Sequence, residues 1–327
     1  MIIKFLRQRL LLYAIPIVIL LFVLVAPSFV GQANISLLMK ILVYGLMAMG
    51  LDLAQGYAGL WSLGHAGIMG VSAYTVCLLM RHFSIYNFWL LAVAGIVAAT
   101  IFGSIMAALG GRMRRLYFML VTYALGEVVS AIARTFRSIT NGTDGLWPMK
   151  YPDLGFGFTL SREGLFYLIL VIVIVCGFVL YRISKSPFGH SLLGLQENEV
   201  RARTLGYNVD IRRFIAMVIS SFFMGIAGVL YVYAVGGISP TDTGISISGL
   251  LMIVVILGGS GTIWGGLVGA GVMITLNYFI SIWAPDRWPL FLGILFIVVI
   301  FFFRKGLYPR MVHLWKKVIR YGNIEDS

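Results

Sequence analysis

The stretch from Ser184 to Arg213, SKSPFGHSLLGLQENEVRARTLGYNVDIRR, differs in composition from the chain on either side of it. It follows the apolar run LFYLILVIVIVCGFVL and precedes the apolar run FIAMVISSFFMGIAGVLYVYA. A helix that crosses a bilayer needs about 20 such residues. Because every backbone N–H and C=O in hydrocarbon must be paired within the protein, both runs are predicted to be helices. The stretch is therefore a polar loop between two membrane spans.

This loop carries start and stop signals for short helices. Ser186 followed by Pro187 is a favoured pair at the beginning of a helix. Gly206 is a favoured stop, since glycine adopts the left-handed conformation without steric cost. Asn208 or Asp210 can then cap the next membrane helix. On spacing alone two interpretations stay open: a docking surface for a partner protein, or a solvated connector that holds positive charge.

The composition places the whole chain in a membrane. Of 327 residues, 60% are hydrophobic and 11% are charged, whereas soluble domains have about 25% charged residues. The net charge of +13 does not indicate nucleic acid binding, because the basic residues fall in loops between apolar runs. Cys77 and Cys176 lie within such runs and predict neither a disulfide framework nor a metal site. The predicted fold is all-α, with about eight to ten transmembrane helices.

The distribution of Lys and Arg predicts the orientation. The candidate spans are 10–30, 35–55, 58–80, 88–110, 116–136, 163–182, 213–235, 247–258, 263–283 and 288–304. Four regions on one side of these spans contain three, three, six and six basic residues, which is 18 of the 25 in the chain. Cytoplasmic loops carry the excess of Lys and Arg. We therefore expect a single transmembrane domain over 1–327 with both termini and the loop 184–213 in the cytoplasm, and an amphipathic tail, 305–327, on the inner leaflet.

Four blocks of sequence resemble the M-type permease subunit of bacterial ABC importers for branched-chain amino acids. They are FGHSLLGLQENEVRARTLGYNV at 188–209, GYAGLWSLGHAGIMGVSAYT at 56–75, NGTDGL at 141–146 and LGGSGTIWGGLVGA at 257–270. The resemblance implies that the loop 184–213 is a coupling loop that inserts into a groove of a cytoplasmic ATPase. The coupling residues would be Gly189, Glu197, Glu199, Arg203 and Gly206.

The same resemblance implies the partners and the location. We expect a second homologous permease subunit, two cytoplasmic ATPase subunits and a periplasmic or lipid-anchored substrate-binding protein, all at the bacterial inner membrane and in contact with its lipids. The sequence has no Cys/His metal spacing and no nucleophile–base constellation, so we expect no metal, cofactor or catalytic residue, and no nucleic acid partner. The chain has no G-x-x-x-x-G-K-[ST] loop, so it has no phosphate loop for ATP.

Two glycine clusters, at 56–70 and 258–271, are candidates for the translocation pathway. At an offset of 202 residues, Gly56, Gly59, Gly64 and Gly67 fall on Gly258, Gly261, Gly266 and Gly269. Glycine-interrupted segments at corresponding places in two halves of a transporter indicate its pathway. Close helix packing is the simpler role of such glycines, and we favour it. Five-helix halves would be inverted, whereas the predicted spans place both clusters near the cytoplasmic side, so an internal repeat stays open.

The candidate pathway residues are Gly59, Ser62, His65, Glu127, Gly258 and Gly261. Glu127 is an ionisable group within a span, which costs about 2.5–3.5 kcal/mol on insertion scales, and structural and pathway roles are both open for it. His65 is predicted to be a hydrogen-bonded packing residue. We expect Asp52 near the inner end of its helix, where water can reach it, which makes it a weak candidate.

The predicted function is ATP-driven import of branched-chain or other hydrophobic amino acids, as a transport subunit and not an enzyme. Urea or short amides are alternative solutes. A stand-alone carrier driven by an ion gradient is an alternative class, but it would need a relay partner for Glu127. We expect neutralisation of Glu197 and Glu199 to leave assembly intact and to uncouple ATP hydrolysis from uptake.

Overall fold

The structure is a computed structural model that describes residues 32–111, 113, 115–147, 150–155, 160–283 and 306–321, together with 290, 291, 293, 294, 297, 298 and 301. The predicted span 10–30 lies outside the described residues, as does most of the span 288–304. The described part contains helices and two isolated backbone bridges, Asn87 to Asp153 and Leu146 to Ile238. The prediction of an all-α fold is confirmed.

We label the following helices of the described part in chain order. They are α1 Gln32–Asp52, α2 His65–Phe83, α3 Phe88–Gly110, α4 Arg115–Thr135, α5 Arg162–Ser184, α6 Pro187–Glu197, α7 Glu199–Thr204, α8 Val209–Val235, α9 Ile245–Gly258, α10 Ile263–Trp283 and α11 Leu307–Tyr321. A π-helical turn, Leu53–Tyr57, extends α1, and Pro240–Thr243 forms a 3-10 turn before α9.

Seven of these helices are long and apolar enough to cross a membrane, and α9, with 14 residues, is a shorter apolar helix. The predicted span 58–80 is wrong in its first part, because α2 begins only at His65. Gly59, with φ of 67°, interrupts the helix there. The span predicted from 213 begins at Val209 instead, since the side chain of Asn208 accepts the Ile211 N–H and caps α8.

The centre of the bundle is formed by α1, α2 and α8, while α3 and α4 have mostly exposed apolar faces. Small residues bring the central helices close together. A methyl group at Gly228 of α8 would lie 2.5 Å from the Met69 carbonyl oxygen of α2, and one at Gly225 would lie 2.9 Å from the Ile96 Cα of α3. Such close approach is how helices associate in lipid, where burial of apolar surface no longer drives contact.

Candidate functional site

The loop between α5 and α8 is folded into two short helices with capped ends. Ser186 accepts the Gly189 N–H at 3.3 Å at the start of α6, with Pro187 in the first turn as predicted. Asn198 accepts the Arg201 N–H at 3.0 Å at the start of α7. Gly206, with φ of 86°, follows the end of α7, as expected for a glycine stop. The sequence signals for local structure are confirmed here.

Ion pairs attach α7 to the beginning of α8. Glu199 accepts from Arg213 at 2.8 Å and from Arg203 at 3.1 Å, and Arg203 also donates to Asp210 at 3.0 Å. Arg213 is buried and Glu199 is partly exposed. Partial burial acts to raise the pKa of Glu199, but the Arg213 and Arg203 guanidinium groups outweigh it and hold that pKa below its ordinary value. The pairs fix α7 relative to the long helix that continues into the bundle.

The surface formed by α6 and α7 (residues 187–208), which we call the coupling surface after its predicted role, exposes apolar side chains. Val200 is 73% exposed and Leu205 is 71% exposed. Gly189 is buried, and a methyl group there would lie 2.2 Å from the Ser184 carbonyl oxygen, so α6 packs directly on the end of α5. Glu197 is exposed at the end of α6. Of the five predicted coupling residues, Gly189 is thus buried against α5, while Glu197, Glu199, Arg203 and Gly206 are wholly or partly exposed.

The two glycine clusters meet within the bundle. Asp52, at the end of α1, accepts the Gly261 N–H at 2.8 Å in the turn between α9 and α10. Gly59 and Gly261 both have positive φ, 67° and 79°, at the sequence offset of 202 residues. A methyl group at Gly258 would lie 1.9 Å from the Gly265 carbonyl oxygen. The contact between Asp52 and Gly261 places both clusters at the same end of the bundle, as the predicted spans require.

Asp52 lies at the end of α1, as predicted, but it is buried there. Asp52 is only 1% exposed, so the expectation that water reaches its side chain is wrong for this conformation. The turn between α9 and α10 covers it, together with the π-helical turn that follows it in the chain. Its second carboxylate oxygen, Oδ2, has no hydrogen-bond partner, and neither has the side-chain amide of Gln55. Gln55 is not among the residues predicted from the sequence, although its position beside Gly56 was a usable signal.

His65 is at the centre of a buried hydrogen-bond chain. Its Nδ1 lies 2.8 Å from Ser62 Oγ, and its Nε2 lies 2.9 Å from Ser220 Oγ. Ser220 donates its proton to the Gly50 carbonyl at 2.6 Å, so it must accept from His65. The network thus assigns the proton to Nε2 and makes Nδ1 an acceptor for Ser62. Every polar atom of His65 is satisfied, which is the arrangement of a packing residue.

Glu127 caps a helix. Its Oε1 accepts the Ile245 N–H at 2.9 Å at the beginning of α9, where Gly244 has no side chain to do so. Three residues further along α4, Ser130 donates to the Pro240 carbonyl at 3.0 Å. Free N–H groups in the first turn of a helix favour a carboxylate. Glu127 thus contacts the beginning of α9, whereas Asp52 contacts Gly261 in the turn after the end of α9.

A separate cavity of about 330 Å³ lies at the other end of the bundle and carries positive charge. Its lining residues are Met80, Arg81, Tyr86, Asn141, Leu146, Trp147 and Lys150. The Lys150 ammonium group lies 4.2 Å from the centre of the Tyr86 ring. Two cations and no acid among these lining residues make the cavity suited to an anionic group.

The bundle of membrane-length helices, with a folded polar surface at one end and polar residues buried at helix breaks, defines a multi-pass membrane transport protein. The family described as branched-chain amino acid transport system, permease component, matches residues 33–300. The chain belongs to this family, and it is an ABC-transporter permease of the branched-chain amino acid type.

The similar proteins are permeases that are named for two different solutes. The high-affinity branched-chain amino acid transport system permease protein LivM of Salmonella typhimurium is 27% identical over 93% of this chain and 75% of its own length. LivM of Escherichia coli K12 has the same identity and coverage. The autoinducer 2 import system permease protein LsrC of Shigella flexneri is 24% identical over 91% of this chain and 88% of its own length.

Proposed function

We propose that this chain is the membrane subunit of an ATP-driven importer for branched-chain or other hydrophobic amino acids, and that its coupling surface binds a partner ATPase. The observation that carries the proposal is the construction of that surface. A simple connector needs neither two capped helices nor ion pairs to α8, and it has no reason to expose Val200 and Leu205. Exposed apolar residues with a polar rim are typical of a protein contact site.

The ion pairs suggest how movement at the coupling surface reaches the membrane. Glu199 on α7 is bonded to Arg213, which lies on the first turns of α8, and α8 continues to Val235 through the centre of the bundle. Ser220 of the same helix is bonded to His65 and Gly50. A rigid helix that is attached at both places transmits a displacement of α7 to the glycine-rich breaks.

The two acids predicted in the coupling loop are expected to have different roles. Glu199 holds the fold of the surface through Arg213 and Arg203, while Glu197 is exposed and available to a partner. Neutralising Glu197 alone is therefore the cleaner test of a contact, because neutralising Glu199 also loosens α7 from α8.

The remaining partners follow from the family and from the two faces of the molecule. We infer a second permease subunit, two cytoplasmic ATPases and an extracytoplasmic substrate-binding protein. The cavity with Arg81 and Lys150 supports a binding protein that presents a carboxylate to the outer face. The mostly exposed apolar faces of α3 and α4 support contact with lipids or with the second permease.

The alternatives receive less support. A stand-alone carrier driven by ions would need Glu127 free for a relay, but Glu127 caps α9. The similarity to LsrC supports a different solute as the second candidate, because that relative is named for autoinducer 2 import and aligns over most of this chain.

The test is ATP-driven uptake by the complete complex in proteoliposomes, with leucine, urea and autoinducer 2 compared as solutes. A Val200→Ser, Leu205→Ser double variant should lower leucine uptake by about ten-fold or more, since a buried apolar contact contributes more than ~1.4 kcal/mol. Met113→Ser is the matched control, because Met113 is also exposed but lies outside the coupling surface. Uptake at the wild-type rate in the double variant would exclude the proposed coupling role. Uptake of another solute in place of leucine would leave the importer assignment but change its substrate.

A further inference from the structure

Three polar side-chain atoms near the contact between the two glycine clusters have no hydrogen-bond partner. Asp52 and Gln55 are 1% and 2% exposed, so water does not compensate them in this conformation. Asp52 Oδ2 has no hydrogen-bond partner, and neither have Gln55 Oε1 and Nε2. Buried polar groups are almost always paired, and each exception requires an explanation. Here three such atoms occur in two residues that are three positions apart.

The charge of Asp52 is also uncompensated. The ion pairs within the described part of the chain join Glu199 and Asp210 to Arg203 and Arg213, and none involves Asp52. Its carboxylate accepts hydrogen bonds from the backbone N–H groups of Gly261, at 2.8 Å, and Thr262, which carry no full positive charge. A buried carboxylate is retained when a cation or hydrogen-bond donors complete it. The missing partner is therefore positively charged or a donor.

The surrounding backbone favours a cation as well. α1 continues past Asp52 as the π-helical turn Leu53–Tyr57, and α9 ends at Gly258, three residues before Gly261. The carbonyl end of a helix carries a partial negative charge. In transporters, interrupted helices present such ends to cations within the membrane. The bond between Asp52 and Gly261 thus brings the carboxylate close to the carbonyl end of α9.

The donor set indicates which cation. In the described part of the chain no group of three or more His, Cys, Asp or Glu residues could hold a metal ion, so a divalent metal has too few ligands here. An ammonium group needs only acceptors, and Asp52 Oδ2 and Gln55 Oε1 are two. Gln55 Nε2 remains as a donor for a neighbouring carboxylate. Leu51, Leu53 and Ala54, which flank them in the chain, are fully buried and apolar.

We propose that Asp52 and Gln55 form a binding site for the ammonium group of an amino acid in transit. The inference deepens the proposed function by naming the group of the solute that the permease recognises. A solute reaches the site only when the segments around Gly56 and Gly261 separate, because both side chains are inaccessible while these glycines are in contact.

The test measures binding of radiolabelled isoamylamine, which is leucine without its carboxylate, to the assembled complex of permeases and ATPases. Binding is measured without nucleotide and with a non-hydrolysable ATP analogue, so that both access states are sampled. Isoamylamine should bind to the wild type. Its affinity for Asp52→Asn should be lower by about ten-fold or more. Asparagine preserves the shape and the acceptor for Gly261, so assembly should persist. Gln55→Leu should also weaken binding. Isocaproate, which is leucine without its ammonium group, should not compete.

Asp242→Asn is the matched control, since Asp242 is an acid of the same bundle whose carboxylate is used by the Ser239 N–H and hydroxyl. This variant should bind isoamylamine like the wild type. Equal binding to the wild type and Asp52→Asn, or no binding in either nucleotide state, would overturn the proposal. Competition between Na⁺ and isoamylamine, measured when sodium replaces choline in the buffer, would also overturn the proposal. The site would then accept an inorganic cation.

Uptake of leucine, measured in parallel in proteoliposomes, separates the two proposals. If the wild type and Asp52→Asn import leucine equally, the ammonium site is wrong and the importer stands. If leucine is not imported but isoamylamine binding depends on Asp52, the site stands and the proposed solute class is wrong.

Discussion

A methyl group added at Gly56 would lie 2.0 Å from Asp52 Oδ1 and 2.4 Å from the Gly261 nitrogen, the two atoms that form the hydrogen bond between the glycine clusters. Gly56→Ala should therefore break this bond or separate the segments. Overpacking of this kind costs about 1–3 kcal/mol. We expect a lower thermal midpoint and a lower yield of the assembled complex.

Gly249→Ala in α9 is the control for that prediction, because no atom lies within 4 Å of its added methyl group. Alanine is favoured over glycine within a helix by about 1 kcal/mol, so this variant should be as stable as the wild type or more so. Equal midpoints for the two alanine variants would show that the space at Gly56 is not limiting.

Single residues also show what the sequence could and could not predict. The glycine spacing indicated two segments that contact each other in the structure, and the capping role of Ser186 followed from one dipeptide. The bond of Asp52 to Gly261 joins residues 209 positions apart, and no local pattern specifies such a contact. For the same reason Asp52 was expected near water, since the turn that covers it comes from the far end of the chain.

At the scale of elements, α9 is too short to cross the membrane and depends on its neighbours at both ends. Glu127 caps its beginning through the Ile245 N–H, and α10 follows directly after the turn that Asp52 holds.

Glu127→Gln keeps an oxygen acceptor, so it should retain most of the stability and uptake. Glu127→Ala removes the cap and should cost about 1 kcal/mol, which thermal unfolding of the purified complex measures. If Glu127→Gln abolishes uptake while unfolding is unchanged, the charge itself acts in transport and the cap is secondary.

A second prediction at this scale concerns the attachment of α7 to α8 and its dependence on pH. The folded-state pKa of Glu199 lies below its ordinary value of 4.5, so its ion pairs stabilise the protein fully above that pH. The stabilisation is lost as the pH falls through the lower folded-state pKa, because protonated Glu199 no longer attracts Arg213. The difference in thermal midpoint between the wild type and Glu199→Gln should therefore shrink as the pH falls below 4.5.

Glu197→Gln serves as the comparison in that experiment, since Glu197 is exposed at the end of α6. Its midpoint should follow that of the wild type throughout the titration. A constant difference between the wild type and Glu199→Gln down to acidic pH would show that the bonds to Arg203 and Arg213 do not depend on the charge.

The positions of whole elements were predictable because hydrophobic length is a strong signal, and α3, α5 and α10 begin and end within two residues of the predicted spans. The start of α2 was not predictable from hydropathy. The segment 58–64 is nearly as apolar as a helix, but it is not helical, and Gly59 has a positive φ at its beginning. The partner of Ser220 was equally hidden, because serine within a span most often bonds to its own helix.

At the scale of the whole molecule, the charge distribution predicts an orientation that the proposed function requires. Six basic residues lie on or next to the coupling surface: Arg182, Lys185, Arg201, Arg203, Arg212 and Arg213. Such an excess is retained in the cytoplasm. An ATPase can bind Val200 and Leu205 only from that side, so the coupling surface and the cavity with Arg81 must face opposite compartments.

Single-cysteine variants test this orientation directly. The native Cys77 and Cys176 are buried, so labelling by a membrane-impermeant maleimide should begin from a low background. Thr143→Cys, at an exposed position in the loop after α4, should be labelled on intact spheroplasts, and Gly194→Cys, at an exposed position in α6, should not. Inverted vesicles should give the reverse pattern. If Gly194→Cys is labelled on intact spheroplasts, the coupling surface faces away from ATP, and both the ATPase contact and the direction of import are excluded together.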